Sequence, residues 1–182
     1  ITTSDVNKTY DGTTAVTTGS AEATSGSQMF ADDSLTGGTY AFTDAHVSRD
    51  GSGNVLSNKT VTTTGVTVND GNNGGNYAVT YANNITSAID PKALSIELST
   101  QSKAYDGSIN AAIDTTDYSL TGFIGSENVG VNQTVGTYDS KDTVSATNVT
   151  VALGSTDFTA DTLTALSDYI LPTTVVATGS IK

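Results

Sequence analysis

The side chains able to do chemistry in this chain lie in short polar clusters between apolar stretches. Asp50-Gly51-Ser52-Gly53-Asn54 and Asp70-Gly71-Asn72-Asn73-Gly74-Gly75-Asn76 set oxygen-bearing side chains at alternate positions, as cation-holding loops do. Asp50, Asn54, Asp70 and Asn72 are the candidate ligands for calcium, and Asp32-Asp33 adds local negative charge. Neither run has a Gly at position six followed by an acidic residue at position twelve, as a full calcium loop requires, so solvated turns are the competing reading. Lys8 and Lys103 each stand two residues before a Tyr-Asp-Gly triplet. Such a lysine could form an isopeptide bond with an Asn or Asp side chain beside an acid, or lie along the tyrosine with its charge in water. The triplets themselves could grip a sugar, but Tyr packs and Asp-Gly turns the chain, which favours architecture. His46 is the only histidine, and no Ser-His-acid set stands out among the many Ser and Asp. The chain is therefore read as non-enzymatic, without catalytic residues and with no cofactor other than calcium.

The elements that must position these groups follow from composition. In 182 residues, Thr and Ser fill 54 positions, hydrophobic residues 36% and charged residues 14%. β-Branched Thr suits a pleated surface better than a helix interior, so the composition favours strands. The absence of cysteine excludes disulfides and thiolate chemistry. A net charge of -12 with dispersed Lys and Arg disfavours nucleic acid and anionic membrane surfaces as partners. No apolar run is long enough to insert in a bilayer. Asn7, Asn58, Asn84, Asn132 and Asn148 head Asn-x-Thr sequons, a number this composition produces by chance.

An internal repeat organises the chain. Lys8-Thr9-Tyr10-Asp11-Gly12 returns as Lys103-Ala104-Tyr105-Asp106-Gly107, and Gly38-Thr39-Tyr40 with Asp44 returns as Gly136-Thr137-Tyr138 with Asp142. Val66-Thr67-Val68 aligns with Val149-Thr150-Val151, Asn76-Tyr77 with Asp168-Tyr169, and Ile89 with Ile181. Two domains are expected, 1–90 and 91–182, joined by a short extended link at Asp90-Pro91-Lys92. The start at Ile1 and the end at Lys182 are those expected of a piece of a longer tandem array. Tyr10, Phe30, Tyr40 and Tyr77, with Tyr105, Phe123, Tyr138 and Tyr169, are the expected shared core, because each aromatic buries a large apolar area.

Strands are expected at 61–68, 76–81, 93–98, 149–153 and 173–181, with Pro172 at the entrance of the last. A single helical turn is expected within 29–35 and one or two turns within 163–171. The predicted class is all-β: two tandem small domains, each an immunoglobulin-like sandwich or a β-grasp-like fold with at most one short helix.

Lys8-x-Tyr10-Asp11-Gly12-Thr13-Thr14, Asn76-Tyr77 and the closing Ile89-Asp90-Pro91-Lys92-Ala93-Leu94 resemble the YDG-type repeat of bacterial filamentous-haemagglutinin-like adhesins. The second copy departs at Ser108-Ile109 and Asp168-Tyr169. The resemblance implies a secreted, fibrous protein at the bacterial cell surface, exported through an outer-membrane partner and supporting adhesion or biofilm formation. Its repeats would serve as a stalk or spacer whose partners are neighbouring repeats of the same chain. A carbohydrate- or matrix-binding module that grips extracellular polysaccharide or host matrix is the alternative, signalled by exposed clustering of Tyr81 with Tyr118 or Tyr138. A calcium-stiffened extender is a third reading.

Overall fold

A computed structural model describes residues 1–30 and 32–182. The chain divides into two compact units, Ile1–Pro91 and Lys92–Lys182. Both are built of strands, and the fold is all-β. The first unit contains β1 (Thr2–Thr3), β2 (Asn7–Thr9), β3 (Ala21–Glu22), β4 (Ser34–Phe42), β5 (Lys59–Asn69) and β6 (Asn84–Asp90). Its main sheet has the order β2-β6-β5-β4, and β1 pairs with β3.

The second unit contains β7 (Lys92–Ala93), β8 (Ser95–Leu98), β9 (Gln101–Lys103), β10 (Asn110–Ala112), β11 (Tyr118–Thr121) and β12 (Val129–Val131). It continues with β13 (Val135–Tyr138), β14 (Asn148–Ala152), β15 (Phe158–Ala160), β16 (Tyr169–Ile170) and β17 (Thr174–Ile181). The order of its main sheet is β10-β13-β14-β17-β9, flanked by the pairs β8–β11, β12–β15 and β7–β16. In β14 and β17 buried and exposed residues alternate, so Val149, Val151, Val175, Ala177 and Ile181 face inward while Thr150, Val176 and Thr178 face out.

The two units share a closing device. The strand near the start of each repeat runs parallel to the strand at its end, with Lys8 opposite Ile89 and Lys103 opposite Ile181. The next backbone bond is also common, Tyr10 N–H to the Asp90 carbonyl at 2.8 Å and Tyr105 N–H to the Lys182 carbonyl at 2.7 Å. Each repeat therefore holds its own ends side by side. Each also has its own core, around Val61, Phe42 and Ile89 in the first unit and Val149, Val151 and Tyr138 in the second.

The structure corrects part of the repeat alignment. Phe42 N–H donates to the Thr14 carbonyl at 2.9 Å and Tyr138 N–H to the Ile109 carbonyl at 2.8 Å. Phe42 pairs with Val61, as Tyr138 pairs with Val149. Phe42, not Tyr40, is thus the counterpart of Tyr138, and Val61-Thr62-Thr63 the counterpart of Val149-Thr150-Val151. Tyr40 falls where the second repeat has Gly136. The space it needs comes from Gly19 and Gly38, where an added Cβ would lie 2.7 and 2.6 Å from the tyrosine ring and hydroxyl.

Other expectations change as well. Phe30 is 80% exposed and Tyr105 56%, so neither belongs to the core, whereas Tyr10 is buried. Among the described residues of 29–35 there is no helical turn, Ser34 and Leu35 instead opening β4; Ala31 lies outside the described residues. Within 163–171 there is one 3₁₀ turn, Leu166–Asp168. The helix of a β-grasp fold is absent from the described residues. The segment 76–81 is not a strand but the end of a turn and an irregular stretch whose end is bonded to Ile1. The Ile1 amino group donates to the Thr80 carbonyl at 2.6 Å and Ala82 N–H to the Ile1 carbonyl at 2.8 Å. The segment 93–98 is divided at Leu94 into β7 and β8.

Candidate functional site

The Lys-x-Tyr-Asp-Gly motif begins on the parallel edge strand and turns immediately after it. Gly12 and Gly107 supply φ of 74° and 77°, a left-handed conformation open to glycine at little cost. The aspartate before each glycine closes the turn: Asp11 Oδ1 accepts from Thr13 N–H and Thr13 Oγ1, both at 2.9 Å. Asp106 Oδ1 accepts from Ser108 N–H at 2.9 Å and Ser108 Oγ at 3.0 Å. The lysine then reaches over the turn. Lys8 Nζ donates to Asp11 Oδ1 at 2.7 Å, to the Thr13 carbonyl at 2.6 Å and to the Ala15 carbonyl at 3.2 Å. Lys103 Nζ repeats the set on Asp106 Oδ1 at 2.7 Å, the Ser108 carbonyl at 2.8 Å and the Asn110 carbonyl at 2.9 Å.

An aromatic ring lies beneath each ammonium. Lys8 Nζ is 5.7 Å from the Phe42 ring centre and Lys103 Nζ 5.5 Å from that of Tyr138. At Asp106 the bond from Lys103, followed by those from Ser108, lowers the carboxyl pKa to about 2. At Asp11 burial works against ionisation, but the bonds from Lys8 and Thr13 outweigh it and the pKa still falls. An ammonium sharing its protons with a carboxylate and carbonyls has no lone pair free for amide formation. The geometry is that of an ionic staple joining edge strand, turn and following strand, not of an isopeptide donor.

A second device recurs at the other end of each repeat. The Tyr77 hydroxyl accepts from Phe30 N–H at 3.0 Å and donates to Asp33 Oδ2. The Tyr169 hydroxyl accepts from Ile124 N–H at 3.0 Å and donates to Glu127 Oε2. Burial, then the Glu127 bond, pushes the Tyr169 phenol up to about 12. Phe123 meets the Tyr169 ring edge-on at 5.7 Å. Asp33 and Glu127 do not stand out in the sequence as partners of the tyrosines, because one is an Asp and the other a Glu. The turn is the same in both, Asp33 N–H donating to the Phe30 carbonyl at 3.0 Å and Glu127 N–H to the Ile124 carbonyl at 3.1 Å. Phe30 aligns with Ile124, not with Phe123, so a backbone N–H carries the match and the side chain does not.

The candidate cation loops are closed on themselves. Asp50 accepts from Ser52 N–H at 2.8 Å, Asn54 N–H at 2.9 Å and Asn54 Nδ2 at 2.9 Å. Asp70 accepts from Asn72 N–H and Gly74 N–H at 2.8 Å and from Asn76 N–H at 3.1 Å, which lowers its pKa. Asp50 is thus brought together with Asn54, and Asp70 with the backbone of Asn72, as turn-closing groups. Among the described residues, no three His, Asp or Glu gather as a metal cluster.

Asp44 pairs with the buried Lys59. In the second repeat Thr147 takes the lysine's place, and its N–H and Oγ1 bond Asp139 at 2.9 and 2.7 Å. His46 lies stacked against Tyr10, ring centres 6.3 Å apart. Of the tyrosines offered as a sugar platform, Tyr81 is 44% exposed and Tyr138 only 3%. Tyr118 is half-buried and donates to the Gln133 carbonyl at 2.8 Å.

Two segments, residues 1–85 and 90–176, match the family model of the YDG domain. No curated protein and no solved structure matches the chain. The matched segments each take in one lysine staple and one tyrosine clamp, and cover nearly the whole sequence. The chain belongs to the YDG domain family, one domain to each unit.

Proposed function

We propose that this chain is a non-enzymatic pair of spacer domains from the stalk of a secreted bacterial surface adhesin, supporting cell adhesion or biofilm formation. The observation that carries the reading is the lysine staple. The most distinctive motif of the repeat, present twice, bonds the domain to itself, with the Lys8 and Lys103 ammonium groups engaged by the carboxylate and carbonyls of their own turn. The staple is attached to the strand pair that holds the ends of the repeat together, where tension along a tandem chain would enter. A negative net charge keeps such chains apart in solution.

Force spectroscopy on the 182-residue chain between inert handles tests this reading. Two unfolding events are expected, each releasing a contour length of about 30 nm, since an extended residue spans roughly 3.3–3.6 Å. Lys8→Met and Lys103→Met should each lower the force of one event. Saturable binding of the fragment to bacterial exopolysaccharide or matrix protein, without a mechanical effect of either substitution, would instead support the binding-module reading.

A further inference from the structure

The first unit carries a cavity of about 90 Å³ lined by Ile1, Met29, Leu35, Val68, Tyr77 and Val79, among others. The strand registers show what occupies the same place in the second unit. Thr3 pairs with Ala21 as Leu98 pairs with Tyr118, so Ile96 stands where Ile1 does. The tyrosine clamps equate Tyr77 with Tyr169, and hence Ala78 with Ile170 and Val79 with Leu171.

In the second unit β7 lies over this region. Lys92–Ala93 runs parallel to Tyr169–Ile170, and Leu94 N–H donates to the Ile170 carbonyl at 3.1 Å. Leu94 is buried, as are Tyr169 and Asp168, and Leu171 packs on the core. In the first unit the corresponding surface is open: Tyr77 is only half-buried, Ala78 is exposed, and Val79 is 41% exposed. The peptide groups of Ala78 have no hydrogen-bond partner among the described residues.

We infer that this cleft is a strand-accepting groove whose occupant is a segment of Lys-Ala-Leu-Ser chemistry joined directly ahead of Ile1, running parallel to Tyr77–Ala78 with its leucine in the cavity. Counting back from Ile96 to Lys92 fixes the register. Each repeat is then completed by the residues that lead into it, as Lys92–Leu94 belongs to the fold of the second unit. The groove selects an extended peptide with a branched apolar residue two places ahead of Ile1, as the buried Leu94 stands ahead of Ile96.

Adding Asp-Pro-Lys-Ala-Leu-Ser ahead of Ile1 in the full chain tests the inference, beside the same extension with Leu→Asp and the unextended chain. Hydrogen exchange of residues 77–80 and of the added residues should slow by about tenfold or more with the leucine. The thermal transition of the first unit should rise by roughly 4 °C or more, and the aspartate form should show neither effect. Added residues that exchange at free-peptide rates, or equal protection from the aspartate form, would overturn the inference. So would a concentration-dependent dimer of the unextended chain with 77–80 protected, which assigns the groove to a second copy.

Discussion

A lysine head is costly to remove from water, yet the side chains of Lys8 and Lys103 are only 15% and 17% exposed. Both are tolerated because carboxylate and carbonyls replace the lost water. Replacing either by Met keeps the stem packed but strips the Thr13 and Ala15 carbonyls, or those of Ser108 and Asn110, of a charged donor. A loss of about 2–3 kcal/mol from the unit concerned is expected in urea unfolding. Lys→Arg should not restore it, since a planar fork cannot meet acceptors arranged around a point. The acidic partner predicts a pH dependence. The Asp106 pKa is lowered, so its contribution is complete above the ordinary carboxyl pKa of about 4 and is lost as pH falls towards about 2. Tyr169 is the reverse case: raised to about 12, it contributes fully below about pH 10 and loses that contribution as pH climbs towards 12. Stability measured against pH should show Asp106→Asn converging on wild type in acid and Tyr169→Phe converging on it in alkali. Parallel curves at either end would remove the corresponding assignment. Both groups stand out in the sequence because they recur, but Asp33 and Glu127 do not, since a loop partner is chosen by geometry and either acid can fill the place.

Strands are periodic in two, and this explains which parts of the elements were legible. The Gly-Thr-Tyr match of Tyr40 with Tyr138 is displaced by two positions from the true counterpart, Phe42, and a shift of two keeps every side chain on its own face. The pattern therefore looked right while the register was wrong. The segment 149–153 is legible because β14 lies between two partners and alternates cleanly, whereas 76–81 has strand-forming residues but, past its turn, is bonded through the backbone only at its end, to Ile1, among the described residues. Its counterpart in the second unit becomes β16 only because β7 is present. Close packing within the sheet gives a sharper test. An added Cβ at Gly179, on β17, would lie 2.7 Å from Val149 Cγ2 and 2.9 Å from Tyr138 Cε1. Gly179→Ala is expected to destabilise the second unit by about 1–3 kcal/mol, the ordinary cost of overpacking, and denaturant titration would expose the position as slack if the midpoint stayed unchanged.

At the scale of the whole molecule the two domains, though built alike, should differ in stability. The hydroxyls of Thr3 and Thr63 in the first unit are buried without a hydrogen-bond partner among the described residues. Their counterparts in the second are Leu98 and Val151, both buried and apolar. A buried polar group lacking a partner costs about 1–3 kcal/mol, and the uncovered surface at Tyr77–Val79 removes further packing from the same unit. The first domain should therefore open first on heating or in denaturant, with amides of β5 exchanging faster than those of β14. Thr63→Val deletes one unpaired hydroxyl at nearly constant volume and places in the first core the residue type found in the second. It should stabilise the first unit by about 1 kcal/mol and leave the second unmoved, because each has its own core. Val149→Ala should do the opposite, weakening only the second by about 1–3 kcal/mol. Hydrogen exchange with mass spectrometry distinguishes the domains peptide by peptide. If Val149→Ala accelerated exchange throughout β5 as much as in β14, the two would unfold as one body, and the spacer reading would lose its basis in separately folded units.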